Sequence, residues 1–288
     1  MSAESAASAG TSGWSSLPAG FLAPGPPSIL DFLARHIPDA LPSREHTPAA
    51  KGAAAAVPHG TTIVAATYAD GVLMAGDRRI TMGNLIANRD AEKVFAADEH
   101  TALGISGTVG FAAEMVRLFR LELEHYEKVE TVPLSLPGKV NRLTRMIREH
   151  LPLAMQGLGV IPLFAGWDTA AGRGRIFSFD ITGAHHEEHG FAATGSGSPF
   201  AHAALKKLHR PGLGAREATA AAIQALYDAA DDDSATGGPD PVRRTWPLIV
   251  LITAEGLVRL TDEEAAEASR AVLAQRGERP DGPGAGPL

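Results

Sequence analysis

The chain has 288 residues, 44% of them hydrophobic, no cysteine and a formal net charge of −7. The length suits one large domain with a tail or two small domains, and the apolar share suits a sizeable core. The acidic balance argues against a broad nucleic-acid footprint, and the missing cysteines exclude disulfides, thiolate metal sites and a cysteine nucleophile.

The N-terminus, Met1-Ser2-Ala3-Glu4-Ser5, has neither a basic start nor an apolar run behind it, so it does not read as a signal peptide. No apolar run approaches the roughly 20 residues of a membrane span. The expectation is a soluble cytoplasmic protein with no membrane contact. Residues 1–60 hold eight of the 20 prolines and few charges, the composition of a segment that does not fold alone. One island differs: Ser28-Ile29-Leu30-Asp31-Phe32-Leu33-Ala34-Arg35-His36 has a helix start, an acidic first turn and an apolar face, and Pro38 stops it. Ala53–Ala56 then lead into Val57-Pro58-His59-Gly60, an accessible approach to the Gly60–Thr61 bond.

Periodic sequence begins at Thr61. Thr61 to Tyr68 is β-branched and apolar, Ala69-Asp70-Gly71 is a hairpin turn, and Val72 to Arg79 returns as a second strand. Thr81 to Arg89 shows no regular period. Lys93-Val94-Phe95 follows, then a buried strand from Thr101 to Ser106 that Gly107 ends. Two amphipathic helices come next. Phe111, Met115, Leu118 and Glu122 mark the first; Val140, Leu143, Ile147 and Leu151 mark the second. Strands are expected over 161–167, 175–181 and 184–189. Helices are expected over 200–209, with Pro199 in the first turn, and over 215–230. An acidic, Gly-rich loop over 231–241 precedes a last hairpin, a helix over 263–274, and a frayed end from Gly277. Hairpins imply mainly antiparallel sheets, and blocks of helices need a sheet face to cover. Two sheets packed on each other with helix pairs outside would bury every apolar face.

The usual chemical motifs are missing. Ser196 has Thr194 rather than glycine two places before it, so there is no nucleophile elbow, and there is no Gly-x-x-x-x-Gly-Lys loop. His185-His186-Glu187-Glu188-His189 lies in an expected strand and is not His-Glu-x-x-His, so it reads as a polar edge strand rather than a metal site. Asp231-Asp232-Asp233 lacks the alternating ligands of a calcium loop. The border at Gly60–Thr61 offers more. If that bond is cut, Thr61 carries a free α-amine as base beside its own hydroxyl nucleophile. Such a threonine needs a lysine to keep its amine neutral, an aspartate to hold the lysine, and an amide to receive an oxyanion. Asp77, Lys93 and Gly107 are candidates near strand ends. Each also has an ordinary reading, as a surface charge or a helix-start glycine, and spacing does not choose between the two.

Six segments in order supply a further signal: Gly60-Thr61-Thr62-Ile63-Val64, Gly76-Asp77-Arg78-Arg79, Glu92-Lys93-Val94, Ser106-Gly107, Gly195-Ser196-Gly197-Ser198 and Asp233-Ser234-Ala235-Thr236-Gly237-Gly238. Together they resemble the motif set of proteasome β subunits, and Leu123-Glu124-His125-Tyr126-Glu127 adds a likeness to the actinobacterial kind. The resemblance runs from about His59 to the last hairpin and leaves 1–58 and the C-terminal tail uncovered.

The resemblance implies an α+β fold, the four-layer αββα sandwich of N-terminal-nucleophile hydrolases, and a threonine endopeptidase. Residues 1–60 would be a propeptide, 61–276 the catalytic domain and 277–288 a tail. Gly60 and Thr61 would be the processing site and Thr61 the nucleophile. Asp77 and Lys93 would tune it, and Gly107 would form the oxyanion hole. Ser196, Asp233 and Thr236 would surround the amine and the nucleophilic water, although Thr236 stands where serine is usual. Arg79 and Thr81 would flank the substrate, and Ile80, Ile105 and Val109 would line the pocket before the scissile bond. No metal or organic cofactor is implied. The partners implied are α subunits and other β subunits in stacked heptameric rings, an ATPase ring, and protein substrates tagged with a ubiquitin-like protein. Two rivals stay open at this point: a small-molecule amidase that forms no ring, and a non-catalytic ring subunit that keeps its tail.

Overall fold

A computed structural model describes residues 60–282. The expected helix over 28–36 lies outside the described residues. Thr62–Tyr68 (β1) and Gly71–Gly76 (β2) form the first hairpin, and the β-branched and apolar side chains that announce it are buried on both faces. The remaining strands are Ile80–Met82 (β3), Leu85–Asn88 (β4), Val94–Asp98 (β5), Thr101–Gly107 (β6), Val160–Asp168 (β7), Arg173–Phe179 (β8), His185–Glu188 (β9), Phe191–Gly195 (β10), Leu248–Thr253 (β11) and Gly256–Arg259 (β12). The helices are Val109–Glu130 (α1), Leu136–Glu149 (α2), Leu151–Ala154 (α3), Ser198–Leu208 (α4), Ala215–Asp232 (α5) and Asp262–Glu278 (α6).

Two five-stranded antiparallel sheets, β10-β1-β2-β11-β12 and β5-β6-β7-β8-β9, carry the fold. The period of two along each strand decides what each face meets. Ile63, Ala65, Val72 and Met74 point from the first sheet toward Ala102, Leu163, Ala165 and Ile176 of the second. Their alternates Val64, Leu73 and Ala75 pack outward on α4, α5 and α6. On the second sheet Leu103, Ile105, Phe164 and Phe177 pack outward on α1 and α2. The result is helix, sheet, sheet, helix, the α+β sandwich expected from element order.

Local differences have physical causes. The stretch 81–89, expected to be irregular, holds all but the first residue of the hairpin β3–β4; its side chains are mostly exposed, so no apolar period betrayed it. The first long helix buries Met115, Val116, Phe119 and Leu123, leaving Phe111 and Leu118 only partly covered. Phe119 sets that rotation, edge-on to Phe164 at 6.0 Å between ring centroids. The second long helix ends at Glu149, and Leu151 belongs to the separate short α3. Ala-rich α5 runs through Asp232, so Asp231 and Asp232 are helical rather than part of a loop. The last helix continues past Gly277 to Glu278. The His185–His189 segment does form an edge, as β9. Among the described residues no cluster of acidic or histidine side chains is arranged to hold a metal ion, and no helix is long and apolar enough to cross a membrane.

Phe164 is fully buried and touches both Phe119 and Phe177. Phe164→Ala should therefore lower the unfolding free energy by about 3–5 kcal/mol, measured by chemical denaturation of the purified chain.

Candidate active site

The antiparallel pairing brings one set of strand ends together. Thr61 stands just before β1, Asp77 just after β2, Lys93 just before β5, Gly107 at the end of β6 and Ser196 just after β10. Helix α5 delivers Asp233 to the same end as its C-terminal cap. Residues up to 175 positions apart in sequence, Thr61 and Thr236, thereby share one region of space.

At its centre is a buried ion pair. Lys93 and Asp77 are 5% and 1% exposed, and Lys93 Nζ lies 2.7 Å from Asp77 Oδ1. Asp77 is saturated with donors. Its Oδ1 also accepts the Thr62 N–H at 2.8 Å, and its Oδ2 accepts the N–H groups of Arg79 at 2.8 Å and Gly237 at 2.9 Å. Lys93 donates to Asp77, to the Gly60 carbonyl at 2.9 Å and to the Arg79 carbonyl. Three acceptors match the three N–H donors of an ammonium. Burial pulls the Lys93 ammonium below its ordinary pKa, and the facing Asp77 charge resists that pull.

Thr61 is 6% exposed, and its hydroxyl donates to the Gly60 carbonyl at 2.6 Å. Its own carbonyl accepts the Ser196 N–H at 2.9 Å. Ser196 and Thr236 each donate a hydroxyl to Asp233 Oδ2 at 2.6 Å, and the Ala235 N–H reaches Oδ1 at 3.0 Å. Burial pushes the Asp233 carboxyl up, but these hydrogen bonds outweigh it and hold the group below the usual carboxylate range.

A pocket of about 80 Å³ opens beside Thr61, lined among others by Ile80, Ile105, Gly107 and Val109. Gly107 has φ of 115°, and a side chain there would run into the Gly159 carbonyl, so only glycine allows β6 to turn into α1 at this point. Sequence reasoning missed Phe95, Ala112 and Ala113 on the pocket wall, because nothing in their spacing distinguishes a wall from a core. It also gave no role to Thr62 or Gly237. Arg79 and Thr81 do not line this pocket: the Arg79 guanidinium turns to the Ser234 carbonyl at 3.1 Å, and Thr81 Oγ1 lies against Gly60. Two charged side chains also line the pocket, and both are paired: Glu92 with Arg259 at 2.7 Å and Lys93 with Asp77 at 2.7 Å, so the rest of the wall is mainly apolar.

Two facing sheets between helical layers, with a threonine at the head of the first strand, place the protein in the class of N-terminal-nucleophile hydrolase folds. Residues 57–242 match the family model of proteasome subunits. The chain is 59% identical over 267 residues to the proteasome subunit beta of Streptomyces griseus, covering 93% of this chain and 95% of that one. It is 55% identical over 271 residues to the proteasome subunit beta of Acidothermus cellulolyticus, with 93% of each chain covered, and 55% identical over 271 residues to proteasome subunit beta 1 of Streptomyces avermitilis, covering 93% and 95%. The chain belongs to the proteasome subunit family. That family is one of proteases, and its β subunits assemble with other proteasome subunits.

The saturation of Asp77 makes a differential prediction. Asp77→Asn would turn an amide N–H₂ toward two existing donors whichever way it is flipped, whereas Lys93→Met leaves the three backbone N–H donors to Asp77 in place. Asp77→Asn should lose about 3–5 kcal/mol of stability, and Lys93→Met distinctly less. Urea midpoints of the two variants at neutral pH test the order; a reversed order would contradict it.

Proposed function

We propose that this chain is a catalytic β subunit of a 20S proteasome core, a threonine endopeptidase that activates itself by cutting Gly60–Thr61. The observation that carries the reading is the geometry around the Gly60 carbonyl. Its oxygen accepts the Thr61 hydroxyl at 2.6 Å and the Lys93 ammonium at 2.9 Å. The bond to be cut is thus polarised by a cation and lies beside the group that would attack it. Gly60 has φ of 111°, and a side chain there would strike Thr81 Oγ1 and Ala235, so the scissile residue fits only as glycine.

Self-cleavage follows in two steps. Thr61 Oγ adds to the Gly60 carbonyl carbon and the C–N bond breaks, moving the acyl group from nitrogen to oxygen. Water then hydrolyses the ester, releasing residues 1–60 with a carboxylate on Gly60 and a free amine on Thr61. In turnover, Oγ attacks a substrate carbonyl while its proton passes through water to the amine. The amine returns that proton to the departing peptide amine, then deprotonates the water that clears the acyl-enzyme. Lys93, which reaches the Gly60 carbonyl at 2.9 Å, would disfavour protonation of the amine freed there, and Asp77 holds Lys93 in place. The Gly107 N–H would receive the oxyanion, and Ser196, Asp233 and Thr236 would order the amine and the attacking water. Ile80, Ile105 and Val109 would receive the residue before the scissile bond, while Arg79 and Thr81 would flank the substrate strand. This chemistry draws on no metal and no organic cofactor.

The assembly proposed is a stack of heptameric rings, α7β7β7α7, working in the cytoplasm on unfolded proteins. An ATPase ring would feed them, and a ubiquitin-like tag would mark them. Residues 1–60 would act as a propeptide, 61–276 as the catalytic domain and 277–288 as a tail. Thr61→Ala should abolish both release of residues 1–60 and peptide hydrolysis while the chain still folds. Intact mass and a fluorogenic peptide assay read both, and residual processing would point to another nucleophile. In a peptide panel, apolar residues before the cut should be preferred at least about tenfold over charged ones, the scale of burying a side chain of matched polarity; faster cleavage after acidic or basic residues would refute the pocket assignment.

A further inference from the structure

We propose that Thr62, the residue after the nucleophile, is a positioning residue that ties the two carboxylates of the site together through a chain of hydroxyl groups. The proposal rests on the threonine-protease reading above and extends it. Thr62 is completely buried, although a threonine hydroxyl inside a strand gains nothing from burial unless it is bonded. Its Oγ1 accepts the Gly197 N–H at 3.1 Å and pairs with Thr236 Oγ1 at 2.6 Å.

Proton accounting gives this second bond its direction. Asp233 lacks a proton to donate, so Thr236 gives its single hydroxyl proton to Asp233 Oδ2. The proton between Thr62 and Thr236 must then come from Thr62. The chain runs from the Gly197 N–H to Thr62, to Thr236, to Asp233 Oδ2, where the Ser196 hydroxyl arrives from the other side at 2.6 Å. At its other end Thr62 gives its backbone N–H to Asp77 Oδ1 and accepts the Asp77 N–H at its carbonyl. One residue therefore contacts the shells of both Asp77 and Asp233, and Thr61 lies immediately before it.

Space is reserved for this chain. A Cβ on Gly197 would lie 2.4 Å from Thr62 Oγ1 and 2.7 Å from Thr236 Oγ1, so a side chain there would occupy the place of the two hydroxyls. Successive bonds of one direction polarise each other. The Thr62 hydroxyl therefore strengthens the bond from Thr236 to Asp233. It also fixes the carboxylate that orients the Ser196 hydroxyl beside Thr61. A hydroxyl serving only to pack the strand against α4 would leave the pH dependence of catalysis untouched.

The test uses the assembled, processed complex. Thr62→Val removes the hydroxyl and keeps the shape. Its kcat for peptide hydrolysis should fall about tenfold, the equivalent of one lost hydrogen bond, with KM within about twofold. The acid limb of the kcat–pH profile should move to higher pH. A less well bonded Asp233 holds its proton more tightly, and its less compensated charge also favours protonation of the Thr61 amine. Thr62→Ser restores the hydroxyl and should return both quantities to wild-type values. Should Thr62→Val fail to assemble, Thr62→Ala removes the hydroxyl without setting a methyl against the Gly197 N–H, and the same expectations apply. A wild-type kcat and pH profile in the hydroxyl-free variant overturns the inference. So does a Thr62→Ser variant as impaired as the valine. Thr61→Ala is run alongside. If that variant keeps its activity, the underlying protease reading falls; if it is dead and Thr62→Val is normal, only the role of Thr62 falls.

Discussion

Everything at the open end of the sandwich depends on one buried carboxylate. Asp77 is 1% exposed and accepts four hydrogen bonds, from Lys93 and from the N–H groups of Thr62, Arg79 and Gly237. A buried charge is tolerable only when it is compensated this fully. The compensation has a structural consequence: it fixes the start of β1, the exit from β2, the lysine before β5 and the loop after α5 relative to one another. The ammonium so placed reaches the Gly60 carbonyl. Electrostatic need and functional geometry are satisfied by the same contacts.

The layers supply the rigidity that makes such placement reproducible. Strands β1 and β2 are apolar on both faces because one face meets the second sheet and the other meets α4 and α5. Side chains at the strand ends then inherit the precision of a packed core. Asp233 gains it differently, as the cap of an eighteen-residue helix that packs along the first sheet. The extension of α5 through Asp232 matters for that reason. A carboxylate in a free loop would not meet Ser196 and Thr236 at 2.6 Å.

The pocket and the polar network divide the site chemically. The wall formed by Ile80, Ile105 and Val109 carries no charge, and the two charged side chains that also line the pocket, Glu92 and Lys93, are paired with Arg259 and Asp77. Ser196, Asp233 and Thr236 lie outside that lining, and Lys93 joins the two parts, lining the pocket while bonding Asp77. Arg79 sides with the polar half: its backbone serves Asp77 and Lys93, while its guanidinium reaches the Ser234 carbonyl.

Much of this was legible in the chain. Apolar, β-branched runs bounded by turn residues, together with helical stripes, gave the order of elements and the antiparallel sandwich, because both signals are local properties of sequence. Ordered motifs marked Thr61, Asp77, Lys93, Gly107, Ser196 and Asp233, and the structure brings them to one end of the fold. The hairpin over 80–88 was not legible, since its exposed side chains leave no pattern. Nor was the rotation of α1, which is set by Phe164 on a strand forty-five positions beyond Phe119. What only tertiary structure decided is which polar groups face each other. The Gly237 N–H bonds Asp77 from 160 positions away, and Thr62 meets Thr236 across 174. Such pairings depend on strand register and helix length together, so the sequence determined the parts and their layering, and packing alone determined their partners.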